Sequence, residues 1–177
     1  MNKLALFASG SGSNVENFYT YFKGNKNVEI AVVLCNNPNA YVIERCKKLN
    51  IPCVLFNREM FYKTTEVLEI LDRYSVNFIV LAGFLWLIPE NLIKTYAKRM
   101  VNIHPALLPK YGGKGMYGDN VHKAVVENKE NESGITVHYV NENLDEGEVI
   151  FQAKCIVSAQ DTFKDVANKV HALEYEH

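Results

Sequence analysis

Little in this sequence invites a metal, a membrane or a polyanion. The four cysteines, Cys35, Cys46, Cys53 and Cys155, form no Cys-x-x-Cys pair. Each sits among apolar neighbours, a setting that suits buried reduced thiols better than zinc ligands or disulfides. His104, His122, His138, His171 and His177 are scattered without metal-ligand spacing, so no metal site is expected. Positive charge is not in surplus either. There are 19 Lys and Arg against 20 Asp and Glu, a net charge of -1, which argues against nucleic acid or an acidic membrane as partner. No apolar run approaches the length of a bilayer span. The opening run 4–8 is too brief for a signal peptide and leads into a Gly-rich turn. Internal repeats, linkers and low-complexity stretches are missing as well. What remains is an ordinary globular composition, 48% hydrophobic and 22% charged over 177 residues, enough for a sizeable core. The expectation is one cytoplasmic domain spanning 1–177.

Apolar runs and helical stripes alternate along the chain. Runs at 3–8, 29–35, 52–56, 77–82 and 99–103 read as strands. Between them, Val15, Phe18, Tyr19 and Phe22 make one helical stripe, Val42, Cys46 and Leu49 a second, and Val67, Ile70, Leu71 and Tyr74 a third. Pro89 suits the first turn of a helix running to about Lys98. The segment 105–119 carries prolines and glycines and reads as mostly loop, before a short helix marked by Val121, Ala124 and Val125. Runs 134–140 and 148–157 read as an antiparallel pair around a turn. Thr162 and Asp165 resemble a capping box that opens a final helix with Phe163, Val166, Ala167 and Val170 on its face. The pattern predicts an α/β protein with a doubly wound, mostly parallel, Rossmann-like sheet and antiparallel edge strands. Ligands of such sheets bind beyond the carboxyl ends of the strands, and three loops there carry the chemistry.

The first is Ser9-Gly10-Ser11-Gly12-Ser13-Asn14, between strand one and helix one. Glycines admit an anion to the backbone, and the helix start offers N–H groups with partial positive charge. The plain alternative is a tight turn capped by Ser13 or Asn14. The loop lacks the lysine of a P-loop, and Val15 stands where a dinucleotide fingerprint needs its third glycine. The second is Val101-Asn102-Ile103-His104-Pro105. Strand periodicity points the side chains of 102 and 104 the same way, so an amide and an imidazole converge. Together they suit an oxyanion and a proton in transit; the alternative is a histidine that only caps a strand end. The third is Asn143-Leu144-Asp145-Glu146-Gly147, where Asp145 is either a turn residue or a carboxylate that orients and charges His104.

The run Asn102-Ile103-His104-Pro105-Ala106-Leu107-Leu108-Pro109-Lys110-Tyr111, together with Leu144-Asp145-x-Gly147 and the preceding Gly134-Ile135-Thr136-Val137-His138, resembles the signature of the folate-dependent formyltransferases. The 9–14 loop, Val80-Leu81-Ala82-Gly83-Phe84 and the ending Leu173-Glu174-Tyr175-Glu176-His177 resemble their glycinamide ribonucleotide branch. The likeness runs in order along nearly the whole chain. It implies formyl transfer from 10-formyltetrahydrofolate to the amine of glycinamide ribonucleotide in purine biosynthesis.

The resemblance places Asn102, His104 and Asp145 on the catalytic triad. Gly12, Ser13 and Asn14 fall on the substrate-phosphate loop, Lys110 near that phosphate, and Glu174 on a carboxylate that binds the ribose. Leu85, Trp86, Leu87 and Ile88 fall on the wall of the pterin pocket; Val140, Asn141 and Leu144, with Asn102, complete the folate site. At Trp86 the well-known bacterial enzyme has Arg, and the glycine-rich 112–120 segment is longer than its counterpart. The implied assembly is a monomer or homodimer. A formyltetrahydrofolate deformylase would use the same triad with water as acceptor but normally carries an extra N-terminal domain. A methionyl-tRNA formyltransferase would need a basic tRNA-binding surface. A phosphate-binding module without catalysis would leave Asn102, His104 and Asp145 as coincidence.

Overall fold

The computed structural model describes residues 1–177, which divide into two compact units, Met1–Met100 and Val101–His177. Seven strands hydrogen-bond in the order β3-β2-β1-β4-β5-β6-β7. In the first unit β1 (Asn2–Ala8), β2 (Val28–Cys35), β3 (Cys53–Leu55) and β4 (Phe78–Leu81) pair in parallel. Their sequences are near-continuous apolar runs because both faces of a parallel sheet are covered. Leu6, Phe7, Val32, Val33, Leu34 and Ile79 are fully buried. The helices of this unit are α1 (Ser13–Phe22), α2 (Val42–Leu49), α3 (Arg58–Tyr62), α4 (Glu66–Arg73) and α5 (Glu90–Thr95). The expected stripes of α2 and α4 bury Val42 and Cys46, and Val67, Ile70 and Leu71.

In the second unit β6 (Glu132–Tyr139) runs antiparallel to both β5 (Met100–His104) and β7 (Val149–Ile156), the antiparallel edge expected of the last two strands. Helices α6 (Asp119–Glu127) and α7 (Phe163–Glu176) accompany them. Their core is Val125, Ile135, Val157, Val166 and Val170. The capping box at Thr162 and Asp165 forms in full.

Three details depart from the sequence reading. Helix α3 falls in a stretch to which the sequence reading assigns no element; it is only five residues long, too short for a periodic stripe, and its start is fixed by the Asn57 side chain accepting from the Met60 N–H at 2.9 Å. Helix α5 stops at Thr95 rather than near Lys98, and Lys98 takes a left-handed φ of 56° that ends the turn. Strand β5 reaches His104, so both Asn102 and His104 are strand residues. All four cysteines are free thiols, with Cys35 and Cys46 buried. No helix is long and apolar enough to cross a membrane.

Candidate active site

The antiparallel register of the second unit builds a polar cluster. Asn102 lies opposite His138 and His104 opposite Thr136. Period-two alternation puts all four side chains on one face. The buried Thr136 hydroxyl donates to the Ala106 carbonyl at 2.6 Å and accepts from the Leu108 N–H at 3.0 Å, fixing the chain as it leaves β5. Asp145 reaches the same face from the turn between β6 and β7. It holds a left-handed φ of 58°, a conformation that Asp tolerates better than most residues. Gly147 lets that turn close, since a Cβ there would lie 1.7 Å from the Tyr139 carbonyl oxygen.

Asp145 is the hub. Its Oδ1 lies 3.5 Å from His104 Nδ1, 3.7 Å from His138 Nε2 and 3.4 Å from the Asn102 amide. Its Oδ2 accepts from the Gly113 N–H at 2.9 Å. The side chains of His104 and Asp145 are only 4% and 7% exposed. Burial alone would raise the Asp145 carboxyl; the neighbouring His138 and His104 imidazoles and the Gly113 N–H outweigh it and hold the group below the usual aspartate value. Asp145 is therefore a carboxylate at neutral pH.

His104 is pushed the other way. Burial lowers its pKa below the ordinary imidazole value, and this outweighs the opposing pull of Asp145 and of the Tyr111 carbonyl. The charge expected on His104 is thus absent at neutral pH, because desolvation wins over one nearby carboxylate. Its Nε2 lies 2.7 Å from the Tyr111 carbonyl oxygen, an acceptor only, so the neutral ring carries its hydrogen there. The unprotonated Nδ1 then faces Asp145, and a proton arriving at Nδ1 would meet a carboxylate.

His138 was noted only as part of a motif, yet it is integral to the cluster. Its Nδ1 lies 2.9 Å from the Tyr139 carbonyl oxygen, which requires an N–H at that end. Its Nε2, 3.1 Å from the Asn102 amide nitrogen, accepts from that amide in the neutral ring. The available signal was the pairing register, which a turn centred near 144 would have supplied. The Tyr111 carbonyl and the Gly113 N–H are backbone groups and left no mark in the residue pattern.

In the first unit the 9–14 loop leads into α1. The cap is Gly12, with φ of 74° and no side-chain capping bond, so Ser13 and Asn14 lie inside the first turn rather than capping it. A Cβ on Gly12 would stand 2.4 Å from Val42 Cγ2, so glycine is demanded by φ and by packing alike. In the 84–88 segment Leu85 and Leu87 are both 54% exposed, while Ile88 is buried. Trp86 sits in an aromatic cluster with Phe56, Phe61, Tyr62 and Phe84, its ring 5.8–6.3 Å from theirs. The Arg58 guanidinium stacks on it at 4.6 Å, a contact the sequence reading missed. The segment is tied down by the Leu85 N–H donating to Ser9 Oγ at 3.1 Å and by the Tyr62 hydroxyl donating to the Leu87 carbonyl at 2.9 Å.

The remaining expected residues all lie in the second unit. Val140 and Asn141 are half-buried and Leu144 is exposed, in the turn that carries Asp145. Lys110 is an exposed side chain whose ammonium is bonded to both oxygens of Glu130, at 2.9 and 3.1 Å. Glu174 lies in the last turns of α7.

The chain matches the formyl transferase family model over residues 2–177. It is 39% identical over 181 aligned residues to the chloroplastic phosphoribosylglycinamide formyltransferase of Arabidopsis thaliana, covering 99% of this chain and 61% of that protein. It is 35% identical to the Bacillus subtilis phosphoribosylglycinamide formyltransferase, covering 99% of this chain and 90% of that one. The chain spans 61% and 57% of the Arabidopsis and Vigna unguiculata chloroplast proteins it matches. Among solved structures, the phosphoribosylglycinamide formyltransferase of Anaplasma phagocytophilum superposes with a TM-score of 0.90 at 28% identity, over 99% of this chain and 82% of that one.

Proposed function

The chain belongs to the formyl transferase family, and from that premise we propose that it moves the formyl group of 10-formyltetrahydrofolate onto the primary amine of glycinamide ribonucleotide, a step of purine biosynthesis. The observation that carries the reading is the convergence of Asn102, His104 and Asp145 on one buried cluster, with contacts of 3.4 and 3.5 Å to a single carboxylate oxygen.

The amine attacks the formyl carbon and a tetrahedral oxyanion forms. The Asn102 amide and the His104 ring are the donors assigned to it. In the neutral ring the one hydrogen of His104 is on Nε2 and held by the Tyr111 carbonyl at 2.7 Å, so donation to substrate either exchanges that contact or follows arrival of a proton at Nδ1, 3.5 Å from Asp145. The proton lost by the amine must travel to the folate nitrogen that leaves. His104 Nδ1 can hold it in passage, because the Asp145 carboxylate stabilises the imidazolium as it forms. The formyl group arrives already activated on its carrier nitrogen, so the chemistry calls for no metal.

By the family likeness, Gly12, Ser13 and Asn14 at the start of α1 are assigned to the nucleotide phosphate, Lys110 to the same phosphate and Glu174 to the ribose. Leu85, Trp86, Leu87 and Ile88, with Val140, Asn141 and Leu144, are assigned to the pterin. We read residues 1–177 as one catalytic domain, active in the cytoplasm as a monomer or homodimer. The deciding experiment follows 10-formyltetrahydrofolate consumption with and without glycinamide ribonucleotide. Consumption that requires the nucleotide and yields its formylated product is expected. Equal consumption without it would replace this reading with a deformylase.

A further inference from the structure

The β2–α2 segment grips the 9–14 loop by its carbonyls. The Asn37 side-chain amide donates to the Ser9 carbonyl at 3.3 Å, the Val42 N–H to the Gly10 carbonyl at 3.1 Å, and Arg45 Nε to the Ser11 carbonyl at 2.9 Å. Three consecutive carbonyls are thus held by donors from one neighbouring segment. A trans peptide points its N–H opposite to its C=O. Holding the carbonyls of 9, 10 and 11 toward α2 therefore turns the N–H groups of 10, 11 and 12 away from it. Next in line, the Gly12 carbonyl accepts from the Glu16 N–H at 3.1 Å, as a helix start requires.

Arg45 does two further things. Its guanidinium pairs with Glu16, the acidic residue in the first turn of α1. It also lies over the Tyr41 ring at 5.2 Å. An unpaired carboxylate at Glu16 would sit one turn from the helix start and repel an anion there. Arg45 is itself occupied by Ser11, Glu16 and Tyr41, so it acts through the loop.

We infer that Arg45 is a positioning residue for nucleotide binding: it aims the Gly12 N–H at the substrate phosphate and masks the charge of Glu16. This rests on the assignment of the 9–14 loop to that phosphate, and the experiment separates the two. Michaelis constants for glycinamide ribonucleotide and for 10-formyltetrahydrofolate are measured on Arg45→Met, Arg45→Lys, Arg45→Met with Glu16→Gln, and Ser13→Asp. Arg45→Met should raise the nucleotide constant on the order of tenfold, the scale of one charge-assisted hydrogen bond, with turnover and the folate constant within about twofold. Arg45→Lys keeps a cation for Glu16 without the planar fork, so it should show the same selectivity at smaller size; it also serves if Arg45→Met fails to fold in a thermal melt. Adding Glu16→Gln to Arg45→Met should recover only part of the loss. Full recovery would reduce Arg45 to a charge mask and overturn the positioning role. So would an unchanged nucleotide constant in Arg45→Met, or equal rises for both substrates. Ser13→Asp places a carboxylate in the loop and leaves Arg45 intact. A large rise in the nucleotide constant there, beside a silent Arg45→Met, would overturn the inference alone. No rise in Ser13→Asp would remove the phosphate assignment and this inference together.

Discussion

The loop at 9–14 and the cluster around Asp145 are built from opposite materials. The loop is a backbone device, with carbonyls held by the β2–α2 segment, a glycine at φ of 74° and a helix start behind it. The cluster is a side-chain device: two strand residues, a third from the partner strand and a carboxylate from a turn, brought together by register. A backbone site tolerates side-chain changes but not the loss of its glycine. A side-chain site tolerates nothing at its members, and its protonation is set by burial.

The largest effect separating the two should come from Asn102→Ala. Losing one oxyanion donor typically costs about 10²–10³ in turnover, and the folate Michaelis constant should stay nearly unchanged. A variant that lost folate affinity and kept its turnover would make Asn102 a binding residue. It would leave the cluster without a donor role in the chemistry.

Acid should strike the second unit first. His122 is 1% exposed, its Nδ1 has no hydrogen-bond partner, and burial with the nearby His171 lowers its pKa to about 4. The unfolded chain takes up a proton near the ordinary value of 6.5, and the folded chain does not until about 4. Stability is therefore whole above 6.5, falls as the pH drops from there toward 4, and loses about 3 kcal/mol across that window. Residue-resolved hydrogen exchange at stepped pH should reveal α6 and α7 losing protection, and His122→Phe should flatten the trend. A trend of undiminished slope in His122→Phe would place the acid sensitivity elsewhere.

Gly12→Ala tests the loop. Left-handed strain and the overlap with Val42 should destabilise the protein by about 2–3 kcal/mol, and the nucleotide constant should rise more than that of the folate. A melt and a nucleotide titration matching the parent protein would mean the glycine is incidental.

The contrast also explains what was legible. Hydrophobic periodicity located the strands and most helices, and the glycine-rich loop announced itself because a backbone site needs glycine. The alternation of 102 and 104 predicted their shared face. Asp145 stood open between a turn residue and a carboxylate partner of His104, and the family likeness chose the second, since nothing local tells a hub carboxylate from a turn aspartate. His138 and Arg45 were missed because their meaning depends on partners 36 and 34 positions away in sequence. The neutral state of His104 was missed because burial is a property of the folded chain.

The smallest effect is a shift along the pH axis. With His104 depressed by burial, kcat/KM should hold down to an acid limb below pH 6.5. Asp145 raises the His104 value, so Asp145→Asn should carry that limb further down while lowering the rate. A limb that stayed put or moved up would mean that Asp145 does not govern His104.

The most direct test of the coupled cluster is the double-mutant cycle of His104→Ala and Asp145→Asn, read as turnover. If the proton rests on His104 under the influence of Asp145, the double variant should be little worse than the worse single one, because residues acting as a unit are not additive. Losses that simply multiply would mean the two act independently, and Asp145 would return to being a residue of the turn.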